Sequence, residues 1–276
     1  MGRPAPQPEP ADRPDPSAPM DLPDLGRMTP PFSFLAAAED FGIVFEPGEL
    51  EQLGRFLGLL LWATERINLT AIRDPEQAWH KHILDGLTLL PVLADLPAGA
   101  RLADVGSGGG VPGLVVAIAR PDLHLTLIES TGKKVGFLRG AARAIGLSNV
   151  EVVQGRSEDL GQERGARTDA AGESRRSGAF RESFDAVIAR AVGPLSVVAE
   201  LTVPLCAIGG MTLLIKGERA GDELAQARKA LEALHAVHEG NLQTPTGTIV
   251  VLGKRSATPR VYPRAPGEPK RRPLGG

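Results

Sequence analysis

Hydrophobic positions in the first third of the chain recur at three- and four-residue steps. Leu50, Leu53, Phe56, Leu57, Leu60 and Leu61 do so after Pro47-Gly48, which predicts an amphipathic helix. Asp74-Pro75 supplies an N-cap with proline at the first helical position. Trp79, Ile83, Leu84, Leu87 and Leu90 then share one side, predicting a second helix over 74–92. From Leu102 the pattern changes. Short apolar runs at 102–105, 123–128, 150–153, 184–188 and 211–215 are separated by helical stretches, 132–145 among them. A helix near 222–234 and two last runs, 237–242 and 248–252, complete the chain's regular pattern. Alternating strand and helix predicts an α/β fold with a parallel sheet and helices on both faces. The two closing strands bring the sheet to seven, mostly parallel.

The remaining stretches lack such a pattern. Residues 1–31 hold ten prolines and few large apolar groups, which predicts a disordered extension. A small N-terminal helical region over 32–98 and a core over 99–253 follow. Residues 161–183, rich in Gly, Ala, Arg, Ser and Glu, read as a flexible surface insertion. Residues 254–276 carry seven basic residues, one acid and five prolines, the composition of a basic disordered tail. Extension and insertion are both expected to contribute little to stability.

With 276 residues, 42% hydrophobic and 23% charged, the chain can bury one sizeable core. Its net charge of −2 gives no global attraction for nucleic acid, so such a partner needs a local basic patch. The single cysteine, Cys206, cannot form an internal disulfide, and its expected role is that of a small buried hydrophobe. No apolar run reaches membrane-spanning length and no signal core is present, so a cytoplasmic protein is expected. His80 and His82 alternate on their helix, and His235 with His238 lacks a third ligand. No metal site is expected.

The chemistry is concentrated between Leu102 and Glu129. The first apolar run meets Gly106, Gly108, Gly109 and Gly110, where bare backbone can adopt positive φ and lie against a ligand. The next run ends in Glu129, an acid able to bind both hydroxyls of a ribose. Gly108, Gly110 and Gly113 also fit the dinucleotide spacing G-x-G-x-x-G, so NAD remains open. Asp104 tips the balance to S-adenosyl-L-methionine: a carboxylate at this turn repels a pyrophosphate and favours a sulfonium. Ligands of open α/β sheets sit beyond the C-terminal strand ends. Those ends present Arg156, Arg190 and Lys216, three cations that call for an anionic substrate or for internal pairs with Asp104, Glu129 or Glu158.

The segments NLTAIRDPEQAWHKHILDGLTLLP, DVGSGGGVPGLVVAI, GKKVGFLRGAA, the Arg156-Ser157-Glu158 turn, ARAVGPL and LLIKG occur in one order. Together they closely resemble the glucose-inhibited division protein B family, bacterial methyltransferases acting on N7 of one guanine in small-subunit ribosomal RNA. The resemblance covers about residues 50–253. It implies a Rossmann-like class I methyltransferase fold with S-adenosyl-L-methionine as cofactor. It places Gly106 and Val111 at the cofactor's first turn, Ser157 and Glu158 beside the adenine, and Arg190 between cofactor and substrate, in agreement with the ribose role read above for Glu129. Arg190, Arg156 and Lys216 are the candidate catalytic residues, holding phosphates or the guanine O6 edge. The implied partner of a monomer is 16S ribosomal RNA or the small subunit, with no membrane and no metal. Two alternatives are a small-metabolite methyltransferase and a non-catalytic RNA-binding assembly factor.

Overall fold

A computed structural model of the chain describes residues 15–162 and 180–275. Between them it describes the backbone of a short antiparallel pair, Ala166–Thr168 with Ser174–Arg176. Helices α1 (Phe32–Asp40) and α2 (Glu49–Thr64) open the chain. Helix α3 runs over 75–87, with Pro75–Ala78 and Asp85–Leu87 on either side of a wider π turn, Trp79–Leu84. After α4 (Leu90–Leu93) come β1 (Arg101–Val105), α5 (Gly113–Ala119), β2 (His124–Glu129), α6 (Gly132–Ala144) and β3 (Val150–Gln154). They are followed by α7 (Ser157–Gly161), β4 (Phe184–Arg190), α8 (Leu195–Thr202) and β5 (Cys206–Lys216). The chain closes with α9 (Ala220–Gln226), α10 (Arg228–Leu234), β6 (Ala236–Thr244), β7 (Gly247–Lys254) and α11 (Glu268–Arg271).

The main sheet has seven strands in the order β3-β2-β1-β4-β5-β7-β6. The first five are parallel; β7 runs antiparallel to β5 and to β6. Four of the five β1 residues are buried, as expected of a parallel strand covered on both faces. The chain winds outward from β1 through β2 to β3, then returns to place β4 on the other side of β1. That reversal opens a crevice beyond the C-terminal ends of β1 and β4, where open α/β sheets bind ligands.

The expected helix over 74–92 is shorter. Asp74 caps it by accepting the Gln77 N–H at 2.8 Å. Thr88 Oγ1 bonds the Asp85 carbonyl, Pro91 has no N–H to give Leu87, and the chain restarts as α4. The N-terminal helices share one core with the sheet's flank. Phe56, Leu57 and Leu60 meet Leu114, Leu127, Phe137 and Leu138 in a single apolar cluster. They therefore pack as a layer on that flank of the sheet.

Both ends depart from the disorder expected of them. Residues 1–14 lie outside the described residues, but the stretch from Asp15 to Pro31 lies along two helices. The Met20 N–H donates to the Gly136 carbonyl at 2.8 Å, and Met28 N–H to the Gly54 carbonyl at 3.3 Å. Glycine is what permits this approach: a Cβ on Gly140 would stand 2.3 Å from the Met20 carbonyl oxygen, and one on Gly54 2.3 Å from that of Met28. Met20, Leu22 and Met28 pack against the first core cluster. A proline-rich composition concealed these few anchors.

The basic tail is also held against the core, in part because two of its cations are engaged internally. Lys254 is 1% exposed and donates to the carbonyls of Val203 and Cys206, with the Glu182 carboxylate 2.9 Å away. The Arg264 guanidinium makes two bonds to fully buried Glu200, at 2.9 and 2.6 Å. The expected flexible insertion, 161–183, is corrected at its ends; its middle lies largely outside the described residues. Gln162 bonds the Pro263 carbonyl, and Arg181 donates to the carbonyls of Gly161, Tyr262 and Thr258.

Two outcomes follow. Arg264→Ala leaves Glu200 as an uncompensated buried carboxylate and should cost about 3–5 kcal/mol of stability, read by denaturant unfolding. A double change to apolar residues of similar volume, Arg264→Met with Glu200→Leu, should recover most of that loss. Gly140→Val should release the stretch 15–31 and speed its hydrogen exchange while leaving exchange in β1 and β4 unchanged.

Candidate functional site

The turn after β1 is built from three left-handed glycines, Gly106, Gly108 and Gly110, at φ +75°, +54° and +83°. Two carboxylates hold it. Asp104 Oδ2 accepts the Gly113 N–H at 3.1 Å from beneath, and Glu129 Oε2 accepts the Gly108 N–H at 3.1 Å from the tip of β2. The other Glu129 oxygen takes the Thr131 N–H at 2.8 Å. Beyond the turn lies a cavity of about 230 Å³ lined by Gly106, Glu129, Arg156, Ser157 and Glu158, with Val192, Val197 and Leu201 as apolar wall. Five residues expected from sequence thus converge on one hollow, although they come from three strand ends.

Two expectations are revised. Asp104 does not face the ligand: it is 1% exposed, lines neither cavity, and serves to close the turn. Burial pushes its carboxyl up to about 7, with the Ser107 and Gly113 bonds opposing. Val111, expected at the cofactor's first turn, lies in the apolar cluster beside Leu114 and also lines neither cavity. The charge argument against a pyrophosphate survives through other groups. Glu129 and Glu158, 7% and 6% exposed, both border the small hollow and would repel an anion. Bare glycine backbone, two acceptor-only carboxylates and an apolar wall fit an uncharged adenosine carrying a cationic sulfonium.

A second, wider cavity of about 600 Å³ adjoins the end of β4. Thr70, Lys81, His82, Asp85, Arg190, Lys216 and Thr246 line it. Arg190 is held by Asp85 Oδ2 at 2.9 Å and by the Lys81 carbonyl at 2.7 Å. Thr246, in the turn between β6 and β7, donates its hydroxyl to the other Asp85 oxygen. His82 Nδ1–H points to the Lys81 carbonyl, 3.1 Å away, which leaves Nε2 to accept the Thr70 hydroxyl at 2.9 Å. Burial, then the neighbouring Arg190, pull the His82 imidazole down to about 4, so it is neutral at physiological pH. The π turn of α3 sets Lys81, His82 and Asp85 together at this rim.

The three cations predicted from sequence have different fates. Arg190 pairs with Asp85, and Lys216 pairs with Glu223 at 2.7 Å and with the Gly193 carbonyl at 2.6 Å. Neither is paired with Asp104, Glu129 or Glu158. Arg156 is exposed at the mouth of the smaller cavity and, among the described residues, makes no ion pair. Sequence reasoning missed Asp85, Thr246 and Glu223. Asp85 sits in the HILD segment, but only helix geometry shows that it meets Arg190. The loop 190–193 separates the two cavities: Val192 faces the smaller, while Arg190, Ala191 and Gly193 face the larger. Ala191 there holds φ +55°, a left-handed conformation that costs a non-glycine residue of order 1 kcal/mol.

Residues 49–244 match the family model described as GidB, rRNA small subunit methyltransferase G. A protein of Sorangium cellulosum named Ribosomal RNA small subunit methyltransferase G is 46% identical over 250 residues, covering 91% of this chain and 98% of its own. Its namesake in Moorella thermoacetica is 37% identical over 245 residues, covering 87% and 96%. Among solved structures, a Corynebacterium glutamicum protein superposes with a TM-score of 0.50 at 15% identity, covering 82% of this chain and 97% of that one, which speaks to fold alone. Among the described residues, no helix is long and apolar enough to cross a membrane, and no cluster of His, Cys, Asp or Glu is placed to hold a metal. With the family model matching well over half of the chain and a relative 46% identical over most of it, the chain belongs to the rRNA small subunit methyltransferase G family.

Proposed function

We propose that this chain transfers the methyl group of S-adenosyl-L-methionine to N7 of a guanine in small-subunit (16S) ribosomal RNA. The observation that carries the reading is the pair of cavities divided by loop 190–193. One suits an adenosine-bearing sulfonium, and the other is a polar chamber wide enough for a base. The cofactor supplies an electrophilic methyl group on sulfur. Guanine N7 has an in-plane lone pair and no proton to lose, so no general base is required. The protein's work is alignment and exclusion of water, which can lower a barrier by several kcal/mol.

Glu129 is placed to accept ribose hydroxyls, and Ser157 with Glu158 to meet the adenine. Arg190 stands at the partition, its guanidinium oriented by Asp85 and Lys81, where it can donate to the O6 edge of a guanine. Neutral His82 adds no further positive charge beside a cationic cofactor. Arg156, exposed and without an ion pair among the described residues, is the rim cation best suited to an RNA phosphate. Lys216 braces the 193–223 contact instead. The target base must leave its stack to enter the chamber.

Tritiated-methyl transfer to small subunits, or to naked 16S RNA, from a strain lacking the modification tests the reading; no incorporation into either would refute it. Arg156→Ala should slow transfer at unchanged cofactor affinity and lower the salt slope of RNA binding by about one. Arg190→Ala should damage both cofactor binding and turnover, whereas Lys216→Ala should chiefly lower the melting temperature.

The two shifted buried groups give opposite pH dependences. Asp104, raised to about 7, stabilises the fold fully below its unfolded pKa, and this stabilisation is lost as pH rises through 7. His82, lowered to about 4, makes the fold lose stability as pH falls from its unfolded value of 6.5 toward 4. In the parent the two trends oppose each other between these limits. Asp104→Asn should remove one and reveal a melting temperature that climbs with pH from about 4.5 to 6.5. A profile parallel to the parent's would show that Asp104 does not titrate in this range.

A further inference from the structure

The family match ends at residue 244, yet the chain beyond it returns to the smaller cavity. Gly267, Pro269 and Lys270 line the same hollow as Gly106 and Glu129. The return is secured by the Arg264–Glu200 pair and by Arg181, whose guanidinium gathers the carbonyls of Tyr262 and Thr258. The Thr258 N–H donates to Glu182 at 2.9 Å. These contacts make residues 258–275 a strap fixed at several points.

The strap touches the site through one hydrogen bond. The Gly267 N–H donates to Glu158 Oε1 at 2.9 Å. A Cβ at Gly267 would meet nothing within 4 Å, so φ +78°, not space, calls for glycine there. The other Glu158 oxygen has only the Ser157 hydroxyl near it, at 3.5 Å. A buried carboxylate that commits one oxygen to a fixed amide presents the second in a single orientation. An ionised carboxylate can only accept. The exocyclic amino group of a 6-aminopurine can donate to that oxygen, whereas the O6 of a 6-oxopurine facing it cannot and is repelled. Pro269, buried beside this carboxylate, has no N–H to leave unpaired and adds an apolar surface next to Val197 and Leu201.

We propose that the C-terminal strap is a wall of the cofactor site and sets its preference for a 6-aminopurine, with Gly267 orienting Glu158 and Pro269 covering the ring. The proposal rests on the cofactor reading of this cavity. It makes Gly267 a positioning residue and Pro269 a binding residue.

Calorimetry with S-adenosylhomocysteine and with its 6-oxo counterpart, S-inosylhomocysteine, tests it. The full chain should prefer the amino compound by about tenfold or more, the worth of one charge-assisted bond against a repulsive contact. A chain ending at Arg264 keeps the Arg264–Glu200 pair but loses Gly267, Pro269 and Lys270. It should bind S-adenosylhomocysteine about tenfold more weakly and lose most of the discrimination. Pro269→Gly should weaken binding while keeping the preference. In the full chain, hydrogen exchange at the Gly267 amide should slow when S-adenosylhomocysteine binds. That readout and Pro269→Gly decide the matter if the shortened chain does not fold. A folded shortened chain that binds and discriminates like the parent would overturn the proposal and leave the cofactor reading standing. An unchanged Gly267 exchange rate in the saturated full chain would overturn it equally.

Discussion

The contact between Arg190 and Asp85 is where the functional half of this molecule is joined. Arg190 ends a central strand of the sheet, and Asp85 follows the π turn of α3. Thr246, bonded to the same carboxylate, belongs to the β6–β7 turn, and Lys81 contributes a carbonyl from within the turn itself. Three regions distant in sequence are therefore tied to one half-buried ion pair. Asp85 is 6% exposed, and a carboxylate so buried is tolerable only because both oxygens are occupied. Removing either partner leaves a charge without compensation, so the loop dividing the two cavities keeps its shape only while the pair is intact.

Charge is arranged on either side of that partition in a way that suits the proposed chemistry. The smaller cavity is bordered by two buried carboxylates, Glu129 and Glu158, with Arg156 and Lys270 also in its lining. The larger contains cations whose charges are locally matched, Arg190 by Asp85 and Lys216 by Glu223. A cationic donor can sit beside them without facing an uncompensated positive field. Net attraction for an RNA backbone is left to exposed groups such as Arg156 at the rim.

The architecture was legible in the sequence because it rests on local rules. Period-two and period-3.6 patterning, the Asp74-Pro75 start and the glycine-rich turn each declare themselves within a few residues. The crossing of β4 back beside β1 was not legible, because alternating strand and helix leaves the strand order of a parallel sheet open. Convergence of Gly106, Glu129, Arg156, Ser157 and Glu158 on one cavity was legible too, since strand ends of such a sheet share a rim.

Other features depended on contacts between residues far apart in the chain. Asp104 reads as a ligand-facing acid in its motif, but tertiary structure buries it under the turn, where its partner is an amide nine residues on. Proline-rich and basic termini carry the composition of disorder, yet their order comes from a few backbone bonds to glycine-bearing helices and from arginines that cap carbonyls and pair with buried Glu200. Composition sums over a segment, whereas these contacts each turn on one residue meeting one distant group. The sequence by itself determined the parallel sheet and the rim on which the site is built. Which acids face the ligand, which cations are already paired and what covers the pocket were decided only when the chain folded, because burial and partner choice are properties of the assembled structure.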